Sequence, residues 1–472
     1  MRIIILFIIM QKYLIKNISV VNEGRIFNTD LLVENGRIAK IASGIQPTQQ
    51  VVEINGEGKH LLPGVIDDQV HFREPGLTHK ANIYSESKAA VCGGVTSYME
   101  MPNTVPNTLT LELLEDKYST ASATSLANYS FFMGVSNSNA EEVLKINNRK
   151  RDVCGVKIFM GSSTGNMLVD NYLTLDTIFR DSEVLIATHC EDEKIIKANY
   201  EALKSKKQHL TASDHPLIRN EDACFESSFT AVQLAKKHNT RLHILHISTA
   251  KELQLFTNML PLAEKRITCE VCVHHLHFTA DDYAALGYLI KCNPAIKAPA
   301  NRLALWEALL DDRIDVIATD HAPHTLQEKG YIRNRDGMLV AEEGLSYEQA
   351  HAGLPLVQHP LLLMLYYHKQ GKISLEKIAE KMSHAVADCF NIAERGYIRE
   401  GYYADLVITD LQQPTTIRQD NVLYKCGWSP LEGQTIPAEV THTFVNGNLV
   451  FDRYGKQVWN ESNKGMRLEF DR

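Results

Sequence analysis

Residues 63–76 read PGVIDDQVHFREPG, and this stretch decides the fold. An apolar run at 64–66 leads into acidic residues, then into His71, Arg73 and Glu74, and the stretch ends at a Pro-Gly turn. A buried strand that ends in an imidazole, a guanidinium and a carboxylate places unlike charges where a protein interior is otherwise dry. A metal site with an anionic substrate would explain all three groups. Ordinary surface charges at a strand end explain this stretch alone equally well.

Short apolar runs separated by helical patterns continue from residue 63 onward. The eight runs are GVID at 64–67, TSYMEM at 96–101, YSFFMGV at 129–135, CGVKIFM at 154–160, EVLIATHC at 183–190, RLHILHI at 241–247, ITCEVCV at 267–273 and IDVIATD at 314–320. Amphipathic stretches such as residues 191–206 lie between them. Strands that alternate with helices predict an α/β fold with a parallel sheet, and eight such units predict a (β/α)8 TIM-type barrel. The active site of such a barrel lies at the carboxyl ends of its strands.

Short β-branched runs on both sides of the barrel segment indicate a second, smaller unit. An Asn-Gly pair at 35–36 between apolar runs is a strong hairpin signal. Short β-branched runs return after residue 396, near the carboxyl end of the sequence. We therefore expect a small discontinuous β-sandwich domain built from both termini. Its two halves are residues 11–62 and 393–472, and the barrel occupies residues 63–392.

Charge and cysteine content narrow the class of function. The net charge of −8, with no basic run, argues against a nucleic-acid or anionic-membrane partner. Nine cysteines scattered through apparent strands and helices are typical of a reducing cytoplasm rather than of a disulfide framework. Cys269 and Cys272 form a CxxC with no second pair at zinc-ribbon spacing, so we interpret them as strand residues. We expect a cytoplasmic protein.

The first ten residues, MRIIILFIIM, need a separate interpretation. They are too short to span a bilayer, and no small-residue cleavage site follows them. Residues 11–25 already read as the first strand of a folded domain. We expect an upstream start codon, with the natural chain beginning near Met10, rather than a membrane anchor.

Metal-compatible side chains stand at the ends of five predicted strands: His71, Lys157, His189, His246 and Asp320. Imidazole and carboxylate suit zinc and leave coordination positions open for water. A lysine within CGVKIFM would be costly as a buried cation, unless its tip reaches the barrel mouth. Alternatively, carbon dioxide converts its neutral amine to a carbamate, an oxygen ligand able to bridge two metals. Together with the histidines, Lys157 favours the carbamate.

The order and spacing of the motifs resemble the dihydroorotases of the amidohydrolase superfamily. The motifs are PGVIDDQVHFREPG at 63–76, MPNTVPNT at 101–108, GVKIF at 155–159, THCED at 188–192, LHILHISTA at 242–250, CNPAIK at 292–297, ATDHAPH at 318–324 and GYYADLVI at 401–408. The resemblance covers almost the whole chain after residue 12. It implies a zinc enzyme, with one or two zinc ions per chain, that reversibly cyclises N-carbamoyl-L-aspartate to L-dihydroorotate and water in pyrimidine biosynthesis. It also suggests a homodimer.

The resemblance implies a role for each metal-compatible residue. His71 matches a ligand of the more buried metal, and His189 with His246 matches the ligands of the second metal. Lys157 matches a carboxylated lysine that bridges both ions. Asp320 matches a metal-bound carboxylate that also acts as general base, taking the proton of the attacking hydroxide and delivering it to the leaving ring nitrogen.

A second set of residues is implied to hold the substrate. The family residues that bind the substrate carboxylate are matched here by Arg73, Asn103, Asn293 and His324. An arginine offers a planar fork of donors to a carboxylate. Ala352 and Gly353 lie in the glycine-containing loop 342–355, whose backbone amides can approach a ligand closely.

Gln69 departs from the family pattern, which has two histidines on the first strand. A glutamine amide oxygen is a far poorer zinc ligand than imidazole. Three consequences are open. First, the buried metal keeps His71, carboxylated Lys157 and Asp320 and gains an oxygen from Gln69 or Asp68. Second, a single zinc binds at His189, His246 and Lys157. Third, the chain is a non-catalytic subunit.

Competing functions come from two classes. Allantoinase and dihydropyrimidinase share the metal residues but act on neutral rings, so they do not need a cation at Arg73. A non-catalytic chain would instead stabilise another pathway enzyme, such as aspartate carbamoyltransferase. The remaining histidines are interpreted as structural: His274 and His275 on a strand, His321 beside Asp320, and His215, His351 and His384 in loops or helices.

Overall fold

The computed structural model of the protein describes residues 11–47, 50–161, 167–342 and 344–472. The apolar segment on which the start-codon prediction rests lies outside the described residues. Within the described ranges, no helix combines the length and the apolar character that crossing a bilayer requires.

The barrel strands coincide with the eight predicted runs, and the third run is interrupted into two short strands. The strands are β6 (Val65–Val70), β7 (Val95–Glu100), β8 (Asn128–Phe131), β9 (Met133–Gly134), β10 (Val156–Phe159), β11 (Ile186–His189), β12 (Leu242–Ile244), β13 (Ile267–Cys272) and β14 (Val316–Ala318). All neighbouring pairs among them are parallel.

Two backbone contacts close these strands into a barrel. The Phe132 N–H donates to the Glu100 carbonyl over 3.0 Å, which links β7 to the segment between β8 and β9. The His71 N–H donates to the His321 carbonyl over 2.7 Å, just beyond the ends of β6 and β14. The predicted (β/α)8 barrel is confirmed.

Helices cover the outside of the barrel and occupy its connections. They are α1 (Ile83–Cys92), α2 (Leu111–Thr124), α3 (Ala140–Leu144), α4 (Tyr172–Asp181), α5 (Glu193–Lys204), α6 (His215–Ile218), α7 (Glu221–His238), α8 (Val273–His277), α9 (Tyr283–Leu286), α10 (Pro299–Leu310), α11 (Leu326–Lys329), α12 (Pro360–Lys369), α13 (Leu375–Ala379) and α14 (Ala385–Phe390). The assignment of His274 and His275 to a strand is wrong, because β13 ends at Cys272 and α8 begins directly after it. The carbonyl of Leu276 accepts from the indole N–H of Trp306 over 2.9 Å, so contacts with α10 help to fix this turn of helix.

The small domain joins strands from both ends of the chain in one sheet. Its strands are β1 (Lys12–Asn22), β2 (Arg25–Glu34), β3 (Arg37–Ala42), β4 (Val51–Asn55), β5 (His60–Pro63), β17 (Leu406–Asp410), β20 (Glu439–Val445) and β21 (Asn448–Asp452). The order across the sheet is β21-β20-β17-β5-β1-β2-β3, and β4 pairs with β1. Two hairpin-like pairs lie outside this sheet: β15 (Tyr331–Arg333) with β16 (Leu339–Ala341), and β18 (Thr415–Thr416) with β19 (Thr435–Ile436). The predicted discontinuous sandwich domain is confirmed, while its boundaries at residues 62 and 393 stay a prediction.

A buried polar network ties this domain to the barrel. Asp405 and Arg395, each no more than 5% exposed, form an ion pair. The other oxygen of Asp405 accepts from the Asn446 N–H over 2.7 Å, and Arg395 also donates to the Asn446 side chain over 2.8 Å. Asn128, the first residue of β8, donates to Asp405 over 3.1 Å and accepts from Asn446 over 2.8 Å.

Removal of Asp405 tests how much this network stabilises the fold. An Asp405→Ala substitution leaves the Arg395 guanidinium buried without its partner, so we expect the free energy of unfolding to fall by about 3–5 kcal/mol. Urea titration followed by circular dichroism measures the change. Asp420→Ala, which removes an exposed ion pair with Arg418, is the matched control and should change the value by less than about 0.5 kcal/mol. Equal effects of the two substitutions would contradict the assignment.

Candidate active site

A small cavity lies at the carboxyl ends of the barrel strands and is lined by ten of the eleven predicted site residues. These are His71, Arg73, Asn103, Lys157, His189, His246, Asn293, Asp320, Ala352 and Gly353. Gln69, Phe159 and Ala322 complete the lining. The cavity has a volume of about 30 Å³, which is room for little more than a water molecule. The eleventh residue, His324, lies behind Arg73.

Two imidazoles meet at one side of the cavity. His189 is the last residue of β11, and His246 follows the end of β12, where its backbone adopts a φ of 42°. His189 Nδ1 and His246 Nε2 lie 3.0 Å apart. Burial lowers the pKa of both rings, so both are neutral near pH 7. Two neutral ring nitrogens that converge on one point form an arrangement that suits a zinc ion.

A carboxylate fixes the orientation of one of these rings. His189 Nε2 lies 3.2 Å from a side-chain oxygen of Glu191, and Arg219 forms an ion pair with the same oxygen. Burial opposes the charge of Glu191, but Arg219 and His189 outweigh this effect and lower the pKa of Glu191 to about 2. The ionised carboxylate favours the tautomer of His189 with its proton on Nε2, which leaves the lone pair of Nδ1 directed into the cavity.

Lys157 brings an amine to the floor of the cavity. It lies in β10, is 1% exposed, and its Nζ lies 4.6 Å from the ring centre of Phe159. Burial lowers the pKa of this amine to about 7, although Asp320 and Glu270 favour the charged form. A large fraction of the amine is therefore neutral near pH 7, which is the form that reacts with carbon dioxide.

His71, Gln69 and Asp320 form the opposite side. His71 Nε2 lies 3.2 Å from Asp320 Oδ1, and His71 Nδ1 lies 2.8 Å from Asn103 Oδ1. Gln69 Nε2 donates to the same Asp320 oxygen over 3.2 Å. Asp320 has a φ of 47°, a backbone conformation that costs free energy and is concentrated at functional sites. Burial lowers the pKa of His71 despite the neighbouring Asp320 carboxylate.

Arg73 places a buried guanidinium at the cavity wall. Its side chain is 2% exposed, and its backbone has a φ of 67°. Nε donates to the Pro323 carbonyl over 3.2 Å, and a terminal nitrogen lies 3.2 Å from His324 Nε2. Burial lowers the pKa of Arg73 to about 10, so the group remains charged near pH 7. Within the described parts of the chain, no carboxylate forms an ion pair with it.

Asn293 and Gly353 also line the cavity. Asn293 Oδ1 lies 3.1 Å from His215 Nε2. Gly353 has a φ of 144°, and a Cβ atom there would lie 2.4 Å from the Ala322 carbonyl oxygen. Only glycine allows this close approach of the loop to the cavity.

Comparison with known proteins gives these residues a context. The profile described as "Amidohydrolase family" matches residues 60–450, which contain every residue of the cavity. The chain belongs to the amidohydrolase family. This assignment supports a hydrolase and agrees with the barrel and sandwich described above.

Several relatives of this amidohydrolase align along most of the chain. A dihydroorotase from Halobacterium salinarum is 31% identical over 438 residues, which cover 92% of this chain and 95% of the relative. A dihydroorotase from Pyrococcus furiosus is 31% identical over 420 residues, covering 89% and 88% of the two chains. An allantoinase from Desulfitobacterium hafniense is 29% identical over 464 residues, covering 96% and 98%.

Solved structures with the same architecture carry other names. The L-hydantoinase (dihydropyrimidinase) from Arthrobacter aurescens superimposes with a TM-score of 0.85 at 25% identity, covering 95% of this chain and 98% of that one. The dihydropyrimidinase from Brevibacillus agri gives a TM-score of 0.84 at 22% identity, covering 98% and 100%, and shows the fold alone. The resemblance to the family predicted from the motifs is confirmed.

The donor set in the cavity fits a metal ion on the side of the two imidazoles. Two neutral imidazole nitrogens and a buried, partly neutral amine would offer two nitrogen ligands and, after carboxylation of the amine, an oxygen ligand. Once the amine is carboxylated, none of these three ligands carries a positive charge that would repel a cation.

Three other groups of side chains among the described residues are close enough to hold an ion. They are Cys272 with His274 and His275, His324 with Glu328 and His351, and Asp68 with His243 and Glu270, each with ligand atoms within 4.8 Å of one another. The second group is filled by the Lys80 ammonium, which lies 2.9 Å from Glu328 and 3.1 Å from His324.

The third group explains what Asp68 does. Burial opposes a charge on His243, but Asp68 and Glu270 outweigh it and raise the pKa of His243 to about 9. The imidazolium lies 3.2 Å from Asp68 and 3.3 Å from Glu270. Asp68 therefore pairs with a buried cation and is absent from the cavity lining, so it does not add an oxygen to the site.

Two buried lysines bind backbone carbonyls of the loop that carries Ala352 and Gly353, and sequence reasoning missed both. Lys329 Nζ donates to the carbonyls of Lys291, His351 and Gly353 over 2.9, 2.9 and 3.1 Å. Lys291 Nζ donates to the carbonyls of Tyr347 and Ala350 over 2.6 and 2.7 Å. No local signal marks these lysines in the sequence, because their partners are backbone carbonyls far along the chain.

The sequence predicts that His215 is an ordinary loop or helix histidine. It lies in α6 and is 1% exposed. Its Nδ1 lies 2.7 Å from the Tyr347 hydroxyl, and its Nε2 lies 2.8 Å from the Cys292 carbonyl, beside the cavity residue Asn293. His215 thus connects the loop to the cavity wall.

A larger cavity of about 600 Å³ lies outside the small one. Asn293 and Ala352 line both cavities. The outer walls include the aromatic rings of Tyr200 and Tyr347 and the charged side chain of Lys291. This outer cavity continues the small one along the wall that the two cavities share.

The pH dependence of folding tests the burial of Lys291. Burial lowers the pKa of its amine from 10.5 to about 7, so between these values the unfolded chain binds more protons than the folded protein. Raising the pH from 7 to 10 should therefore stabilise the wild-type protein relative to Lys291→Met, by up to about 1.4 kcal/mol per pH unit. Urea titrations of both proteins across this range measure the difference. Parallel curves would contradict the assignment.

Proposed function

We propose that this amidohydrolase is a dihydroorotase that interconverts N-carbamoyl-L-aspartate and L-dihydroorotate with bound zinc. The observation that carries the proposal is the buried guanidinium of Arg73 at the cavity wall. A buried cation without a carboxylate partner is costly, and an anionic substrate would compensate it. The dihydroorotate ring bears a carboxylate, whereas the hydantoin and allantoin rings bear none. The relatives named dihydroorotase support the same substrate.

The contacts in the cavity support a task in substrate binding for several residues. Arg73 presents a fork of donors to the substrate carboxylate, and the amide groups of Asn103 and Asn293 lie in the same cavity. His324 packs beside Arg73: its Nε2 lies 3.2 Å from an Arg73 nitrogen and 3.1 Å from the Ala352 carbonyl oxygen. These contacts would fix the ring with its reactive amide toward Asp320.

Proton transfer falls to Asp320 in this proposal. Its carboxylate lines the cavity and accepts from Gln69. In the hydrolytic direction it would take the proton of the attacking water and deliver it to the ring nitrogen as the amide bond breaks. Zinc, when bound, would supply a lower pKa for that water and polarise the amide carbonyl.

Lys157 would become a ligand by reacting with carbon dioxide. Its neutral amine adds to the carbon of carbon dioxide and releases one proton, which leaves a carbamate with two oxygen ligands. The cavity that holds Lys157, His189 and His246 would then offer an oxygen and two nitrogens to zinc.

The size of the small cavity bears on how the ring binds. A volume of about 30 Å³ is less than a six-membered ring with a carboxylate requires. We propose that the substrate extends past Asn293 and Ala352 into the outer cavity, which has the necessary space. That space is also the observation that favours a second candidate, an allantoinase or hydantoinase, because a ring substituent could occupy it. The homodimer and the cytoplasmic location stay predictions.

The first experiment measures the opening of L-dihydroorotate by zinc-loaded protein with bicarbonate present. We expect turnover, and we expect Lys157→Ala to lower it more than about a hundredfold, because the lysine would supply a metal ligand. Circular dichroism verifies that the variant is folded. Folded wild-type protein that turns over allantoin or a hydantoin but not L-dihydroorotate would contradict the proposal. Folded protein that is inactive on all three rings would favour the non-catalytic alternative.

Substitution of Arg73 tests the anionic substrate directly. Arg73→Gln removes the charge but keeps a donor, so we expect kcat/KM for L-dihydroorotate to fall about 10–100-fold, as a lost charged hydrogen bond predicts. Any turnover of the uncharged ring dihydrouracil should not fall. Arg418→Gln on the exposed surface is the control. An equal loss with both rings would show that Arg73 supports the fold of the site rather than the substrate charge.

A further inference from the structure

We infer that this chain retains a single metal ion, held by Lys157, His189 and His246, and that Gln69 leaves the position between His71 and Asp320 without a tightly bound second ion. The inference rests on the proposed function for the kind of metal involved. Its evidence is the arrangement of the Gln69 amide.

The orientation of that amide is fixed from both sides. Gln69 Nε2 lies 3.2 Å from Asp320 Oδ1, while Gln69 Oε1 lies 3.7 Å from the Cys272 Sγ, a thiol that can donate. Rotation of the amide by 180° would place its oxygen against a carboxylate oxygen, and the two would repel. The amide therefore turns its N–H donors toward Asp320, and a donor cannot bind a cation.

The Asp320 oxygen that lies next to His71 already has two close partners. Asp320 Oδ1 lies 3.2 Å from Gln69 Nε2 and 3.2 Å from His71 Nε2. A metal bound to this oxygen would have to displace the Gln69 amide from it. Gln69 is 1% exposed, so its N–H would lose its partner without gaining water. The position thus loses a ligand and also acquires a competing donor.

The other side of the cavity has no such obstacle. The converging nitrogens of His189 and His246 lie 3.0 Å apart. Glu191 and Arg219 support the ring of His189 from outside the cavity. An ion bound there keeps all its ligands.

The two sides of the cavity should therefore respond differently when a ligand is removed. A ligand removed from the occupied side should release the ion, whereas a ligand removed from the His71 side should leave it bound. Replacement of Gln69 by histidine should convert the donor into a ligand and create the second position.

Metal content after zinc loading with bicarbonate and dialysis against metal-free buffer tests this directly. Mass spectrometry of the metal should find close to one zinc per chain in the wild type and in His71→Ala, and close to two in Gln69→His. His189→Ala should retain almost none. Gln69→Ala, which makes space without adding a ligand, is the matched control and should remain near one. Circular dichroism and thermal unfolding verify that each variant is folded.

Electron paramagnetic resonance of manganese-loaded protein provides a second readout that does not depend on activity. An isolated ion gives a six-line signal, and two ions that share a bridging ligand give an exchange-coupled spectrum. We expect the isolated signal from the wild type and the coupled spectrum from Gln69→His.

Two results would overturn the inference: two tightly held zinc ions in the wild type, or a Gln69→His variant that gains none. The failure of the proposed function looks different. A wild-type protein that holds one zinc but does not open L-dihydroorotate would refute the dihydroorotase and leave the metal count intact.

Discussion

Closure of the barrel between its first and last strands is the constraint on which the site depends. The His71 N–H donates to the His321 carbonyl over 2.7 Å at this seam. Below it, the Asp67 carboxylate accepts from the hydroxyl and the N–H of Thr319 over 2.6 and 3.2 Å. Asp67 is 2% exposed, so these bonds are made in an interior that excludes water, and this burial raises the pKa of Asp67 to about 7. The seam brings His71 next to Asp320, although the two residues are far apart in the sequence.

Burial of titratable groups sets the charge states of the side chains at the carboxyl end of the barrel. The same loss of water that makes the imidazoles of His189 and His246 neutral also lowers the pKa of Lys157 and leaves Arg73 in need of an anion. Neutral nitrogens favour binding of a cation, and an uncompensated guanidinium favours binding of a carboxylate. A single physical cause, desolvation, thus prepares adjacent walls of one cavity for ligands of opposite charge.

Sequence reasoning recovered the barrel, the sandwich and the lining of the cavity, because strand-end positions follow directly from the order of apolar runs. It could not recover contacts made through backbone carbonyls. Lys329 and Lys291 read as surface residues in their local sequence, yet their ammonium groups hold the loop that carries Gly353. The turn of helix at His274 was missed for a related reason, since the Leu276 carbonyl in this turn accepts from the Trp306 indole, which lies on another helix. The role of Asp68 depends on His243, which no spacing rule connects to it.

The order of strands in the small sheet has a consequence for synthesis of the protein. β5 leads directly into the barrel, yet in the sheet it lies between β1 and β17, a strand from the far end of the chain. A nascent chain leaves the ribosome amino end first. One edge of β5 therefore stays unpaired until the whole barrel and then β17 have been translated. The Asn128 side chain on β8 likewise waits for Asp405 and Asn446. An open sheet edge, which is prone to pair with other chains, therefore persists during most of translation. We expect chaperones to bind the nascent chain during this period.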